Sequence, residues 1–175
     1  MALKRITKLD TALFYWFNRY STTGNLAVLK SIRMISRTGD GHLYIFLGAL
    51  LFCLDNSHGV LFFYTALMAY ALEVPIYLFL KQCFKRKRPS ASLINFTAHI
   101  TPSDKFSLPS GHTAAAFLMA TIISSFYPTY SIFAFSWASL VGLSRILLGV
   151  HFPSDVIIGA TLGISIASIS MFILA

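Results

Sequence analysis

The sequence predicts an all-α fold, a polytopic membrane helix bundle of five to six transmembrane helices preceded by an N-terminal interfacial helix. Three observations carry that prediction. Of 175 residues, 56% are hydrophobic, and the mean hydropathy is +0.70. Only 11% are charged, less than half of the roughly 25% found in soluble domains. The charges that remain are also spaced so that long stretches hold none. This composition excludes a disordered tail, a disulfide scaffold and an ordinary cytosolic enzyme. The formal charge is +8, yet the basic residues sit on a framework too apolar for a nucleic-acid binder, so no nucleic-acid partner is expected. The chain reads as one membrane domain, 1–175.

Residues 1–40 form an N-terminal region in which Leu9 to Tyr20 is short and aromatic-rich, with Asp10 and Arg19 near its ends. Trp16 and the tyrosines favour the headgroup level, so this helix is expected to lie in the interface. No long apolar core followed by a small-residue cleavage site is present, which argues against a cleavable leader. The uncharged run 41–54 is too short to span alone; a helix carrying Lys30, Arg33 and Arg37 on one face would extend it upstream. A spanning helix needs about 20 apolar residues, which places further spans near 59–80, 111–127, 130–148 and 155–174, with Pro128 marking a turn. Glu73 is the one charge inside 59–80 and reads either as a structural partner to another helix or as a catalytic carboxylate. Cys53 and Cys83 flank that span, too far apart for a disulfide.

If the later spans alternate, four helix ends meet on one side of the membrane and carry nearly every polar residue able to do chemistry. The motif region is 81–155. In Lys81-Gln-Cys-Phe-Lys-Arg-Lys-Arg88-Pro89, Lys81 supplies a point charge and Arg88 a bidentate fork for phosphate, while Lys85, Arg86 and Lys87 read as a juxtamembrane basic patch. In Pro109-Ser110-Gly111-His112, Ser110 caps a helix whose free N–H groups face an anion, and Gly111 admits close approach of a ligand. His112 is then a candidate acid. The third cluster is Ser144-Arg145, then His151-Phe-Pro-Ser-Asp155. Pro153 suits a helix start, so Asp155 lies one turn in and reaches back to His151, leaving an oriented base or nucleophile. Arg145 ends a long uncharged span, and a charge at that depth marks a functional site.

Three permanent cations match the −1.5 to −2 charge of a phosphate monoester and suit a phosphoryl transition state. Two-metal hydrolysis needs a cluster of carboxylates. The chain has six Asp and Glu in all, and only Asp104 and Asp155 fall near the clusters. No metal and no cofactor are expected.

The three clusters resemble the motifs of the type 2 phosphatidic acid phosphatase family, which embraces membrane lipid phosphate phosphatases and the soluble vanadium haloperoxidases. The family's patterns Lys-x6-Arg-Pro, Pro-Ser-Gly-His and Ser-Arg-x5-His-x3-Asp occur here without departure, at Lys81 to Pro89, Pro109 to His112 and Ser144 to Asp155. With the helix pattern, the resemblance extends over about 59–174. It implies a six-helix membrane enzyme that needs no metal. His151 would attack phosphorus to give a phosphohistidine, with Asp155 orienting it. His112 would protonate the leaving alkoxide and then activate water. Lys81, Arg88, Ser110, Gly111 and Arg145 would hold the phosphoryl oxygens.

The expected function is therefore hydrolysis of a lipid phosphate or diphosphate in the bilayer, of the phosphatidylglycerophosphate, phosphatidic acid or undecaprenyl diphosphate class. The loop Ser90 to Leu108, with His99 and Asp104, is placed to discriminate among them. The alternative is a non-catalytic membrane protein that binds anionic headgroups through basic loops. The resemblance implies a multi-pass protein of the bacterial inner membrane with its site outside the cytoplasm. With five spans the positive-inside rule points the other way, since all 14 Lys and Arg would share the active-site side.

Overall fold

Helices account for every regular element of the computed structural model, which describes residues 2–21, 26–102 and 104–174. They are α1 (Ala2–Ser21), α2 (Leu26–Arg37), α3 (His42–Leu54), α4 (Gly59–Phe84), a single turn α5 (Pro89–Ser92), α6 (Gly111–Phe126), α7 (Ser131–Leu147) and α8 (Pro153–Leu174). Among the described residues extended pairing is limited to one isolated bridge, Lys87 with Phe106.

Among the described residues three segments are long and apolar enough to cross a membrane: Gly59–Phe84, Pro128–Leu147 and Pro153–Leu174. Two shorter apolar helices, α3 and α6, join them. At 1.5 Å per residue the 16 residues of α6 reach about 24 Å, short of a full hydrocarbon core. α6 can be short because it is enclosed, packing against α8, α7 and α4. Its Ala116, Leu118, Met119, Ala120 and Ile122 form the centre of the apolar core with Phe62, Ala69, Val141 and Ala167. The outward faces are equally apolar, with Ile132, Ile157 and Phe172 largely exposed, as a lipid-facing surface requires.

α6 and α8 pack with their backbones in close approach. A Cβ placed on Gly163 would lie 2.1 Å from the Ala114 carbonyl oxygen, and one on Gly159 would lie 2.5 Å from that of Ser110. Two glycines one turn apart thus let the backbones touch. The Ser110 amide donates to the Asp155 carbonyl at 3.1 Å, which fixes the start of α8 against the start of α6. At the far end of the bundle, the Tyr127 hydroxyl donates to the Asp55 carboxylate at 2.6 Å, tying the α3–α4 turn to the α6–α7 turn.

The N-terminal region departs from expectation in one respect. α2 does not run on into the 41–54 helix. A 3₁₀ turn at Thr38–Asp40 and Gly41, whose φ is +93°, break the path, because a left-handed residue reverses the chain where glycine carries no Cβ penalty. α1 covers the motif loops: Phe14 is fully buried between Phe96 and Phe152, while Leu9, Leu13, Tyr15 and Trp16 face outward. That two-faced helix suits the interfacial position read from the sequence. Cys53 and Cys83 are both free and exposed.

Candidate active site

The end of α4, the start of α6, the end of α7 and the start of α8 meet at one end of the bundle, and the three sequence clusters converge there. Lys81, Arg88, Gly111, His112, Arg145 and His151 line a single cavity of about 340 Å³. Tyr70, Glu73 and Tyr77 form its wall on α4.

His151 sits in the loop between α7 and α8 and is 2% exposed. Its Nε2 lies 3.3 Å from Nη1 of Arg88. A guanidinium only donates, so Nε2 must accept, and the ring proton resides on Nδ1. Nδ1 in turn faces the Asp155 carboxylate at 3.6 Å, within electrostatic contact and beyond hydrogen-bond length. The result is a neutral imidazole with its lone pair turned toward the cavity. Burial, opposed by Asp155 and reinforced by Arg88 and Arg145, pushes the imidazole pKa down to about 4, so Nε2 carries no proton at neutral pH.

Asp155 is itself fully buried and fully engaged. Its Oδ2 accepts from the Phe152 amide at 2.8 Å, and its Oδ1 from Arg86 Nη1 at 2.7 Å. Arg86 therefore does not belong to a solvated basic patch. It stacks on the Phe152 ring, 4.4 Å from its centroid, and also binds Ser154 and the Asp10 carboxylate of α1. Asp10 receives the Ser154 amide at 2.9 Å as well. A basic run hides this role, because only tertiary packing distinguishes Arg86 from Lys85 and Lys87.

The cations are held rigidly. Lys81 and Arg88 each donate to the Asp104 carboxylate at 2.7 Å, and Arg88 also donates to the Asp104 and Val150 carbonyls. Burial disfavours the Asp104 carboxylate, but the hydrogen bonds from Lys81 and Arg88 outweigh it and hold the pKa below the usual range. Arg145 donates to Ser36 of α2 at 2.6 Å, and its Nε has no partner among the described residues. Lys81, Arg88 and Arg145 thus set three cations in the lining beside the carboxyl groups of Asp40, Glu73 and Asp104.

Two expectations change. Ser110 occupies the N-cap position of α6, but its hydroxyl makes no capping bond. It is fully buried and paired with the Thr113 hydroxyl at 2.8 Å. Glu73 is 2% exposed with Oε1 unpaired among the described residues; it faces the cavity rather than joining a neighbouring helix. Sequence reasoning also missed Asp40, whose Oδ1 lies 2.6 Å from His112 Nε2. The 3₁₀ turn brings it there, and Gly39 packs so closely that a Cβ would come within 3.2 Å of the His112 side chain. Among the described residues no group of three His, Cys, Asp or Glu side chains is arranged to hold a metal ion.

An apolar cleft of about 700 Å³ runs between α3, α6 and α7, lined by Leu43, Phe46, Met119, Phe133 and Trp137. It starts at the end of α3 that follows Asp40.

The family model of the PAP2 superfamily matches residues 59–174. Among curated proteins, a lipid A 1-phosphatase of Porphyromonas gingivalis is 37% identical over 97 residues, 53% of this chain and 19% of that protein. A decaprenylphosphoryl-5-phosphoribose phosphatase of Mycobacterium tuberculosis is 38% identical over 108 residues, 59% of this chain and 54% of that one. The chain thus spans about half or less of the length of these curated relatives. The crystal structure of Aquifex aeolicus LpxE superposes with a TM-score of 0.81 at 29% identity, covering 94% of this chain and 95% of that one. The transmembrane PAP2 type phosphatidylglycerolphosphate phosphatase of Bacillus subtilis superposes with a TM-score of 0.75 over 97% of this chain and 86% of that one. At 23% identity that second likeness establishes the fold alone.

Proposed function

The chain belongs to the PAP2 superfamily, and from that premise we propose that it is a membrane phosphatase that hydrolyses a lipid phosphate or diphosphate through a phosphohistidine, without a metal. The observation that carries this reading is the single cavity lined by His112 and His151 together with Lys81, Arg88 and Arg145.

In the proposed mechanism the three cations and the α6 amide of Gly111 take the phosphoryl oxygens. Asp104 bridges Lys81 and Arg88 at rest and sets their spacing. The His151 Nε2 lone pair attacks phosphorus, and Asp155 stabilises the charge that develops on the ring. His112, held in place by Asp40, gives its proton to the leaving oxygen. It then takes one from the water that cleaves the phosphorus–nitrogen bond. The guanidinium and ammonium charges act on the equatorial oxygens, where charge spreads in the transition state. The apolar cleft beside the site has the lining for an acyl or isoprenyl chain, which supports a lipid substrate held at the headgroup level. We place the protein in the bacterial inner membrane with its site on the extracytoplasmic face.

The test is phosphate release by the purified chain in detergent from a panel of phosphatidic acid, phosphatidylglycerophosphate and a polyprenyl diphosphate. Release from at least one, lost in His151→Ala, supports the reading. Headgroup binding without release from any of them would instead favour a non-catalytic lipid-binding protein.

A further inference from the structure

The catalytic cavity has a neighbour. A second cavity of about 420 Å³ opens between α2, the end of α7 and the loop around His99 to Pro102. Its charged lining comprises Arg33, Arg37 and Arg145 against Asp40, with His99 and His112 beside them. Asp40, His112 and Arg145 line both cavities, whereas Lys81, Arg88 and His151 line only the first.

That partition has a direction. Displacement at phosphorus places the leaving oxygen roughly in line with, and opposite, the attacking atom. With His151 attacking from the first cavity and His112 serving the leaving oxygen, the leaving group departs past His112, toward the second cavity. A diacylglycerol or other neutral alcohol would have no use for what waits there. Arg145 also serves the transferred phosphoryl group, so the cations particular to this cavity are Arg33 and Arg37, set against the single carboxylate of Asp40. Arg33 is fixed in place by donating to the His99 carbonyl at 2.7 Å. Arg37 is exposed, with no hydrogen bond or ion pair among the described residues. Arg145 is 5% exposed and its Nε is unpaired. An unpaired buried guanidinium nitrogen between two cavities is costly unless a ligand supplies an acceptor.

We propose that the cavity lined by Arg33 and Arg37 is a subsite for a second phosphoryl group carried on the leaving half of the substrate. This rests on the phosphatase reading above and narrows its substrate class. The step balances without any further reagent. A bond forms from His151 Nε2 to the terminal phosphorus as the bond from that phosphorus to the bridging oxygen breaks. The bridging oxygen keeps the electron pair and receives the His112 proton. The released lipid, still bearing its own phosphoryl group, stays neutralised by Arg33 and Arg37 until water regenerates His151 and frees inorganic phosphate. The second phosphoryl group has two sources: one directly bonded, as in a polyprenyl diphosphate, or one a glycerol away, as in phosphatidylglycerophosphate.

The experiment compares kcat/KM of the full chain in detergent on those two lipids and on phosphatidic acid, whose leaving half is uncharged. It is run for wild type, Arg37→Gln and the double variant Arg33→Gln/Arg37→Gln. Loss of charge-assisted contacts of this kind costs about 10- to 100-fold. That loss is expected in the double variant on the polyprenyl diphosphate or on phosphatidylglycerophosphate, and the one affected identifies the source. Phosphatidic acid turnover is expected to stay within about two-fold. Arg37→Gln, altering an exposed side chain without a partner, separates this effect from misfolding by showing the same selectivity in smaller measure. An equal fall on all three lipids, as general attraction to anionic micelles would give, or no fall on either doubly phosphorylated lipid, overturns the subsite. Absence of phosphate release by wild type from every lipid overturns the phosphatase reading itself and is recognised by that control.

Discussion

His112 Nε2 and Asp40 Oδ1 lie 2.6 Å apart, although 72 residues separate them and no motif links them. The His151–Asp155 contact is the looser of the two, at 3.6 Å. Each histidine of the cavity therefore faces its own carboxylate. Asp155 is buried and locked by Arg86, whereas Asp40 is 43% exposed at its side chain and shared with the second cavity. A carboxylate so placed fixes the orientation of the ring. Asp40→Asn is expected to lower kcat about 10- to 100-fold, with KM unchanged or lower because a negative charge facing the phosphate is gone. Steady-state kinetics with Asp40→Glu as the conservative control checks this; an unchanged kcat would dismiss Asp40 as a positioning residue.

Arg86 should behave as part of the site despite its place in a basic run. Removing it strips the buried Asp155 and Asp10 of their ion-pair partner. Arg86→Ala is expected to destabilise the fold by about 3 kcal/mol and to reduce kcat more than KM, because Asp155 loses its anchor. Lys85→Ala and Lys87→Ala, its neighbours, should leave both within error. Thermal unfolding in detergent alongside kinetics distinguishes the three.

Acid should destabilise the protein through His151. Its pKa is about 4 in the fold and about 6.5 in an unfolded chain. Between those values the unfolded state binds more protons, so stability rises with pH and is lost as pH falls from about 6.5 toward 4. The neutral imidazole of the proposed nucleophile also survives to low pH, so the acid limb of kcat/KM from His151 should lie near pH 4. His151→Gln should flatten the stability slope in that window; an unchanged slope would reject a buried neutral imidazole.

The α6–α8 contact sets the register of the whole site. Gly163→Ala drives a methyl group against the Ala114 carbonyl, an overpacking that costs about 1–3 kcal/mol. It should also lower kcat by moving Asp155 relative to His112. A variant with wild-type Tm and activity would show that the helices separate freely.

The sequence was most readable where membrane physics leaves few choices. Uncharged runs placed α4, α6, α7 and α8 to within a few residues, and alternation of those spans alone brought Lys81, Arg88, His112, Arg145 and His151 to one end. What stayed hidden depended on packing rather than pattern. Gly41 looks like any glycine until its positive φ ends the path from α2 to α3. Asp40 has no local signature, because its value lies in the α6 residue it meets. Arg86 is lost among Lys85, Lys87 and Arg88, and the Ser110 hydroxyl chose Thr113 over a capping bond. Glu73 was visible as an anomaly, but whether it faced a helix or a cavity is a question of rotation about α4.

The central claim is covalent catalysis by His151, and the most direct measurement is trapping of the phosphoenzyme. Wild type mixed with ³²P-labelled lipid substrate in EDTA and quenched within a turnover should carry label on protein that is lost in acid and stable in base. His151→Ala should carry none and release no phosphate. Full phosphate release by His151→Ala, or label absent from wild type while EDTA abolishes turnover, would contradict it.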